Sequence, residues 1–316
     1  MEHVLEIFGP ARLGPITLRN RIIKAATYEG LSHRGLVTHD LIDFHRAYAA
    51  GGVGMTTVAY CAVSPEGRTS GDQILWSDEA MPGLRALTDA IHAEGAAVST
   101  QIGHAGPVAD PKGTGLPALG PGRAFPNQGA GITRRATQAD IERIIAAHGD
   151  AAARAIDAGF DAIEVHLGHS YFASSFLSPK LNKRKDEYAG SLENRARIAR
   201  SIMRVVRDRV GDRVAVLAKL NMTDGVRGGI SLDESIQTAQ WLEADGTVDA
   251  LEMTAGSSLM NPMFLFRGGA PVREFAAVMP QPLRLGVRMM GKRFIREYPY
   301  QDLYLLDMAR KVRAEV

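Results

Sequence analysis

Cysteine and long apolar runs are almost absent from this sequence of 316 residues. The single cysteine, Cys61, excludes an internal disulfide, a four-cysteine iron–sulfur cluster and a cysteine-rich zinc site. No run approaches the roughly 18 apolar residues that a membrane-spanning helix needs. The segment 1–6 (MEHVLE) is acidic and lacks the apolar core of a secretion signal. We therefore expect a cytoplasmic protein that does not bind membranes.

An excess of charge of either sign is also missing. Lys and Arg number 37 and Asp and Glu number 35, so the net charge of +2 gives no footprint for nucleic acid or acidic surfaces. The first helical segment is not opened by Gly-x-Gly-x-x-Gly, and Gly-x-x-x-x-Gly-Lys-Ser/Thr does not occur. These absences disfavour a Rossmann or P-loop nucleotide-binding domain.

Glycine, by contrast, is abundant and recurs where a helix gives way to a strand. Five segments have the apolar spacing of a helix and end close to a glycine: 40–50, 81–94, 138–157, 192–209 and 232–244. A short apolar run follows each of them: 55–60, 96–101, 161–166, 214–220 and 248–254. With 21–27 as the first strand, six strands alternate with helices, which predicts a parallel sheet covered by helices.

The polar residues at the predicted strand ends favour a barrel over an open sheet. Gln101, His166 and Lys219 lie at or near the C-terminal ends of three strands, where the active sites of (β/α)8 barrels converge. We expect one α/β domain over 1–316, a TIM (β/α)8-type barrel preceded by a hairpin at 12–20. Segment 256–298 shows no alternation and is expected to be an insertion or long loop. No strand follows the helical tail, 301–316, so we expect a barrel truncated after about six βα units.

The densest chemical signal is segment 161–171 (DAIEVHLGHSY). Strand alternation places Glu164 and His166 on one face, toward the barrel interior. His169 and Tyr171 follow in the next loop. Two imidazoles can hydrogen-bond a substrate oxygen and a phenol can supply a proton, although spacing alone leaves a purely structural role equally open. Zinc binding is disfavoured because a helical His-Glu-x-x-His and partner cysteines are missing, and no metal site is expected.

Two further strand-end residues carry weaker signals. The amide of Gln101 can both donate and accept, which suits a heterocycle with alternating carbonyl and N–H groups. Lys219 has three readings: a Schiff-base nucleophile, a partner for Glu164, or a positive charge beside a ligand. Residue chemistry alone leaves these alternatives open.

Four motifs together closely resemble the Old Yellow Enzyme family, the FMN-dependent NADH:flavin oxidoreductases and ene-reductases. They are 20–27 (NRIIKAAT), 101–106 (QIGHAG), 164–171 (EVHLGHSY) and 176–195 (FLSPKLNKRKDEYAGSLENR). The resemblance covers nearly the whole chain, and the fourth motif is highly specific. It implies that NAD(P)H delivers hydride to FMN, which passes it to an activated alkene or a similar carbonyl-type acceptor.

The resemblance also implies roles for individual residues. Catalytic roles fall on His166 and His169, which would bind the acceptor oxygen, and on Tyr171, which would donate the proton. Cofactor-binding roles fall on six residues: Ala25, Ala26, Thr27, Tyr60, Gln101 and Lys219. Gln101 would bind the flavin pyrimidine edge. Lys219 stands where the family often has Arg, beside flavin N1 and O2, and would stabilise the negative charge of reduced flavin.

The sequence departs from the family at three places that matter for the cofactor. Tyr28 stands where many relatives have a small or redox-tuning Cys or Thr near the flavin. Tyr60 stands where a small Ala is common, so we expect altered flavin packing. The family's seventh and eighth strands, which hold the FMN phosphate, have no counterpart in this sequence, so weak FMN retention and association between copies at an open sheet edge are expected. The alternatives are a flavin-free Schiff-base lyase or aldolase using Lys219, and a barrel scaffold without turnover.

Overall fold

The computed structural model describes residues 6–123, 132–269, 271–277, 281, 283–294 and 296–316. Residues 1–5 of the N-terminal segment and a few residues of segment 256–298 lie outside the described ranges. Among the described helices, none combines the length and apolar character needed to cross a membrane. The same residues contain no group of three or more His, Cys, Asp or Glu arranged to hold a metal ion.

A six-stranded parallel sheet forms the centre of the protein, a half-barrel with helices on its outer face. Its strands are β3 (Ile23–Lys24), β4 (Met55–Ala62), β5 (Ala97–Gly103), β8 (Ala162–Leu167), β9 (Ala215–Asn221) and β10 (Ala250–Thr254). They run in the order β10-β9-β8-β5-β4-β3, so neighbours in this sheet follow one another along the chain. This arrangement confirms the predicted parallel barrel architecture, in which every connection between neighbours carries a helix.

The remaining described elements are two short strand pairs and the helices. The short strand pairs are β1 (Ala11–Leu13) with β2 (Ile16–Leu18), and β6 (Leu119–Gly120) with β7 (Arg134–Arg135). The helices are α1 (His39–Ala50), α2 (Met81–Ala93), α3 (Pro111–Thr114), α4 (Gln138–Asp157), α5 (Phe172–Leu177), α6 (Leu192–Val210), α7 (Leu232–Ala244), α8 (Pro262–Phe266), α9 (Val272–Ala277), α10 (Leu283–Phe294) and α11 (Leu306–Glu315).

Local sequence explains where the long helices begin. Thr137 caps α4 and its N3 residue Asp140 caps in return, and Ser231 and Glu234 form the same reciprocal box at α7. Each box satisfies two backbone N–H groups that the first helical turn leaves without partners. The predicted bounds of both helices are therefore confirmed.

The first strand is shorter than the sequence predicts. It was expected over 21–27 but is only Ile23–Lys24, because its ladder with β4 ends at Lys24. The described part of segment 256–298 contains the helices α8, α9 and α10, and its status as an insertion or long loop stays a prediction. Sequence reasoning did not recognise these helices because no strand follows them to mark their ends.

Two apolar clusters pack against the sheet, one beneath the outer helices and one at the N-terminal ends of the strands. A large cluster fills the space between the sheet and the outer helices, around Leu84, Ile102 and Ile163. Leu13 and Leu18 of the predicted hairpin pack beneath the sheet against residues at the N-terminal strand ends. The hairpin thus closes the N-terminal end, and the C-terminal strand ends remain for a site, as in other barrels.

Candidate active site

The strand register brings the predicted site residues together. Gln101 on β5 lies opposite Glu164 on β8, and Lys219 on β9 lies between His166 on β8 and Glu252 on β10. All five side chains are buried or partly buried. Alternation along each strand turns them to the same face of the sheet. The structure therefore juxtaposes Gln101, His166 and Lys219, which sequence spacing had placed only at separate strand ends.

His166 and His169 form a directional hydrogen-bonded pair. His166 Nδ1 accepts from the backbone N–H of Gly168 at 3.1 Å, so its ring proton resides on Nε2. That nitrogen lies 3.2 Å from His169 Nδ1, and His169 Nε2 lies 2.8 Å from the hydroxyl of Thr254. The chain of bonds thus runs from Gly168 through both rings to Thr254.

Burial keeps both imidazoles neutral near neutral pH. It lowers the pKa of His166 well below its usual range, helped by the nearby His169 and Lys219. Burial likewise lowers the pKa of His169 to about 4, with Lys219 adding to the shift. Each neutral ring has one N–H: that of His166 is directed at His169, and that of His169 at the Thr254 hydroxyl. A bound oxygen therefore has to take the place of one of these acceptors to be polarised by the pair.

The ring of Tyr171 packs against this pair. Its centroid lies 4.2 Å from that of His166, with only 15° between the two planes. The rings of Tyr60 and Tyr171 pack edge to face, with their centroids 5.1 Å apart. No hydrogen bond to the Tyr171 hydroxyl is found within the described ranges, and burial raises its pKa above the usual value. The phenol is therefore protonated and free to donate to a bound molecule.

The loop that carries these groups is strained. His169 and Ser170 have φ values of 57° and 64°, a left-handed conformation that non-glycine residues rarely adopt. The Ser170 hydroxyl lies 2.6 Å from that of Ser257, and the N–H of Ser258 donates to the His169 carbonyl at 3.2 Å. Long-range contacts with the segment after β10 therefore maintain the loop.

Around the candidate cofactor site, the donors and acceptors fit a flavin. Gln101 donates its amide N–H to Glu164, which leaves its amide oxygen without a partner among the described residues and able to accept from a ring N–H. Lys219 makes ion pairs with Glu164 and Glu252 and keeps further N–H donors on its ammonium group. The side chains of Ala25 and Ala26 are small enough to admit a planar ring. Gln101 and Lys219 thus offer an acceptor and N–H donors to a flavin edge, and the cofactor roles of these residues stay predictions.

Thr27 and Tyr60 are placed differently. Thr27 is exposed beyond β3, as Ala25 is, and its hydroxyl makes only a long local bond to the Ala25 carbonyl. Tyr60 is buried on β4, and its hydroxyl donates to the Gly67 carbonyl at 2.6 Å. Its ring therefore contributes packing beside Tyr171, and its phenol proton is committed to the backbone.

Lys219 is not set up as a Schiff-base nucleophile. Its ammonium group bonds to Glu252 and lies 3.6 Å from Glu164 Oε1. Its nitrogen is thus engaged by two acidic side chains and is not free to attack a carbonyl. Of the three possibilities open in the sequence, pairing with Glu164 is confirmed, and placement of positive charge beside a ligand stays a prediction.

Sequence reasoning missed two residues of this site, Glu252 and Thr254. Both lie on β10, two residues apart, so they share a face. The predicted strand 248–254 contained that signal, since strand alternation placed a carboxylate and a hydroxyl together. What it lacked was the pairing across the sheet that sets Glu252 beside Lys219 and Thr254 beside His169.

Comparison with known proteins indicates the family of this chain. Residues 6–260 match the family described as NADH:flavin oxidoreductase / NADH oxidase. A 4,4′-dithiodibutanoate disulfide reductase of Rhodococcus erythropolis is 50% identical over 307 residues, 97% of this chain and 76% of the relative. An NADH oxidase of Thermoanaerobacter brockii is 36% identical over 260 residues, 81% of this chain but only 40% of that longer protein.

A solved structure supports the fold. The old yellow enzyme homologue from Zymomonas mobilis superposes with a TM-score of 0.72 at 20% identity, covering 98% of this chain and 93% of that one. At that identity the similarity concerns the fold alone. The sequence matches carry the assignment: the chain belongs to the NADH:flavin oxidoreductase / NADH oxidase family, the Old Yellow Enzyme family of FMN-dependent oxidoreductases that its motifs predicted.

Proposed function

We propose that this chain reduces a small organic acceptor with electrons from NAD(P)H, using the His166–His169 pair and Tyr171 as its acceptor site. The observation that carries the proposal is the Tyr171 ring stacked on His166 with its hydroxyl unbonded among described residues. FMN, when bound, supplies the hydride chemistry by accepting hydride from the nicotinamide and delivering it to the acceptor.

The chain's own residues bind and protonate the acceptor. A carbonyl or nitro oxygen takes the place of His169 Nδ1 as the acceptor of the His166 N–H. With the His169 proton on Nδ1 and the Thr254 hydroxyl donating to Nε2, both neutral rings donate to that oxygen. Tyr171 donates a proton as hydride arrives. For an activated alkene, the proton goes to the α-carbon and hydride to the β-carbon. With FMN bound, Gln101 would accept from the ring and Lys219 would stabilise the negative charge that reduction produces. Ala25 and Ala26, with their small side chains, would line the ring.

An organic disulfide is the second candidate acceptor. The 50% identical relative, which aligns over 97% of this chain, is named a disulfide reductase. Hydride addition to one sulfur breaks the S–S bond and releases a thiolate, and a proton from Tyr171 converts that thiolate to a thiol. The same proton donor therefore serves both acceptor classes.

A spectrum and a competition between acceptors test the function. Purified protein mixed with FMN should show a perturbed flavin absorbance, and NADH or NADPH should bleach it without oxygen. The bleached enzyme is then mixed with 2-cyclohexenone or with 4,4′-dithiodibutanoate, and the rate of flavin reoxidation decides the acceptor class. No bleaching by either nicotinamide would contradict the proposal, and trapping by borohydride would instead support the lyase alternative.

The proposal also includes a location and an association between copies. A cytoplasmic location is supported by the need for NADH or NADPH. Association between copies is proposed because the sheet has an open edge. Size-exclusion chromatography with light scattering measures the second point, and a single monomeric species would contradict it.

A further inference from the structure

Four strands contribute to a buried polar cluster that the function so far only partly uses. Gln101, Glu164, Lys219 and Glu252 come from β5, β8, β9 and β10 in order. Lys219 Nζ bonds to Glu252 Oε1 and lies 3.6 Å from Glu164 Oε1, which also accepts from Gln101. The side chain of Glu164 is only 1% exposed and that of Lys219 only 6%.

The cluster holds two carboxyl groups against one ammonium group. Oxygen Oε2 of Glu164 is fully buried and receives no hydrogen bond from any described residue. A buried carboxylate oxygen without a donor is costly, because nothing replaces its lost hydration. A proton on that oxygen removes the charge that burial penalises, and Glu252 is placed to share it because both carboxyl groups flank the same Lys219 ammonium group.

The direction of the pKa shifts agrees with this geometry. Burial, together with the neighbouring Glu252 carboxylate, raises the pKa of Glu164 well above its usual range. Against the opposing effect of burial, the bonds from Glu164 and Lys219 lower the pKa of Glu252. The other titratable groups nearby are His166 and His169, both of which burial keeps neutral.

We propose that Glu164 and Glu252 share a single proton and, with Lys219, form a neutral set that limits how strongly this edge of the site stabilises negative charge on bound flavin. One ammonium, one carboxylate and one carboxylic acid sum to zero charge. The flavin edge therefore meets a compensated lysine, and both carboxyl groups act as positioning residues through it. Only the effect on bound flavin rests on the proposed function, because the shared proton exists without cofactor.

Infrared spectroscopy of the cofactor-free protein tests the shared proton. At neutral pH the wild type should show the C=O stretch of a protonated carboxyl group. Glu164→Gln and Glu252→Gln should each abolish it, because each leaves one carboxylate that Lys219 keeps ionised. Difference spectra against the wild type cancel other buried acids such as Asp224. Glu243→Gln, the same change on the exposed face of α7, is the control and should leave the band unchanged.

Persistence of the band in Glu252→Gln would overturn the inference, because Glu164 would then be protonated without a partner. Absence of the band from the wild type would overturn it as well. These measurements need no flavin, so their failure is distinguishable from failure of the proposed function.

Sulfite binding tests the effect on flavin, since sulfite adds to oxidised flavin and leaves negative charge on the N1–C2 side of the ring. Each single variant retains one carboxylate and should bind sulfite within about twofold of the wild type. The double variant Glu164→Gln/Glu252→Gln leaves Lys219 uncompensated and should bind sulfite at least about tenfold more tightly. The same change raises the two-electron midpoint potential by about 30 mV.

Equal sulfite affinity in the wild type and the double variant would overturn the proposed effect on flavin. Circular dichroism and thermal unfolding confirm that each variant is folded. Should the unpaired ammonium unfold the double variant, the infrared result on the single variants decides the inference, together with Glu252→Asp, which should restore the wild-type band. Lack of any flavin binding would contradict the proposed function and the flavin half of this inference, but not the shared proton.

Discussion

Nε2 of His166 lies 3.2 Å from Nδ1 of His169, and this contact makes the two imidazoles one unit. Because the Gly168 N–H occupies Nδ1 of His166, only one neutral arrangement of protons satisfies the pair. In that arrangement the N–H of His166 is directed at His169 and the N–H of His169 at the Thr254 hydroxyl, so Thr254 decides which His169 nitrogen carries the proton. The chemistry of His169 thus depends on a residue 85 positions away in the sequence.

The double variant His166→Ala/His169→Ala should lose binding of phenolic ligands, because both candidate donors to the ligand oxygen disappear. Titration of the FMN-loaded protein with p-hydroxybenzaldehyde, followed by its charge-transfer absorbance, measures this. The control is His39→Ala on the exposed N-terminus of α1, which should bind as the wild type does. Retained ligand binding and turnover in the double variant would refute the assignment.

Thr254→Val should weaken phenol binding by roughly two- to twelvefold, the effect of losing one hydrogen bond of about 0.5–1.5 kcal/mol that orients His169. Valine keeps the shape of threonine, so packing is preserved. Thr247→Val serves as the control, since its buried hydroxyl bonds to the Leu242 carbonyl away from the site. An unchanged affinity in Thr254→Val would show that the His169 ring needs no such anchor.

Tyr171→Phe should slow reoxidation of the reduced enzyme by the acceptor about 100- to 10,000-fold, the usual contribution of a general acid. Reduction by NAD(P)H needs no proton from the phenol and should change little. Stopped-flow absorbance measures the two half-reactions separately, with Tyr48→Phe on the exposed side of α1 as the control. Equal slowing of both half-reactions would indicate a structural role for Tyr171.

Acidification should destabilise the protein through its buried neutral histidines. His148 is 2% exposed on α4, and burial lowers its pKa to about 4 from an unfolded value near 6.5. The unfolded chain therefore takes up the proton first, and stability is lost as pH falls from about 6.5 to about 4. The loss from this residue is about 2–3 kcal/mol.

Urea unfolding at pH 7 and pH 4.5 measures this dependence. His148→Asn should lower stability at pH 7 but flatten the change between the two pH values, whereas His39→Asn on the surface should leave the slope as in the wild type. An equally steep pH dependence in His148→Asn would contradict the role of His148.

Gly106→Ala should destabilise the protein by more than about 3 kcal/mol, because strain at positive φ adds to overlap with backbone. Gly106 has a φ of 59°, and a Cβ there would lie 2.6 Å from the backbone N and Cα of Phe172. Gly115→Ala is the matched control: its φ is 68°, but a Cβ meets nothing within 4 Å. Its cost should be only about 1 kcal/mol. Equal unfolding midpoints for the two variants in urea would show that the contact with Phe172 is unimportant.

The sequence by itself determined the features that depend on neighbours along the chain. Helical periodicity and reciprocal caps determined the bounds of α4 and α7. A glycine close to the end of each helix indicated where the next strand begins. Strand alternation placed Glu164 and His166 on one face, and motif resemblance identified the family. Even Gln101 was recognisable, because it directly precedes the Ile-Gly-His-Ala-Gly run.

Only the tertiary structure decided which of these groups interact. Glu252 reaches Lys219, and Thr254 reaches His169, through parallel pairing of strands separated by whole helices. The left-handed turn at His169 and Ser170 has no glycine at either position, so the sequence did not predict it. A hydrogen bond between the hydroxyls of Ser170 and Ser257, a residue of a distant segment, stabilises this turn. Local propensity is blind to such contacts, because their free energy comes from burial and pairing between residues that only the folded sheet brings together.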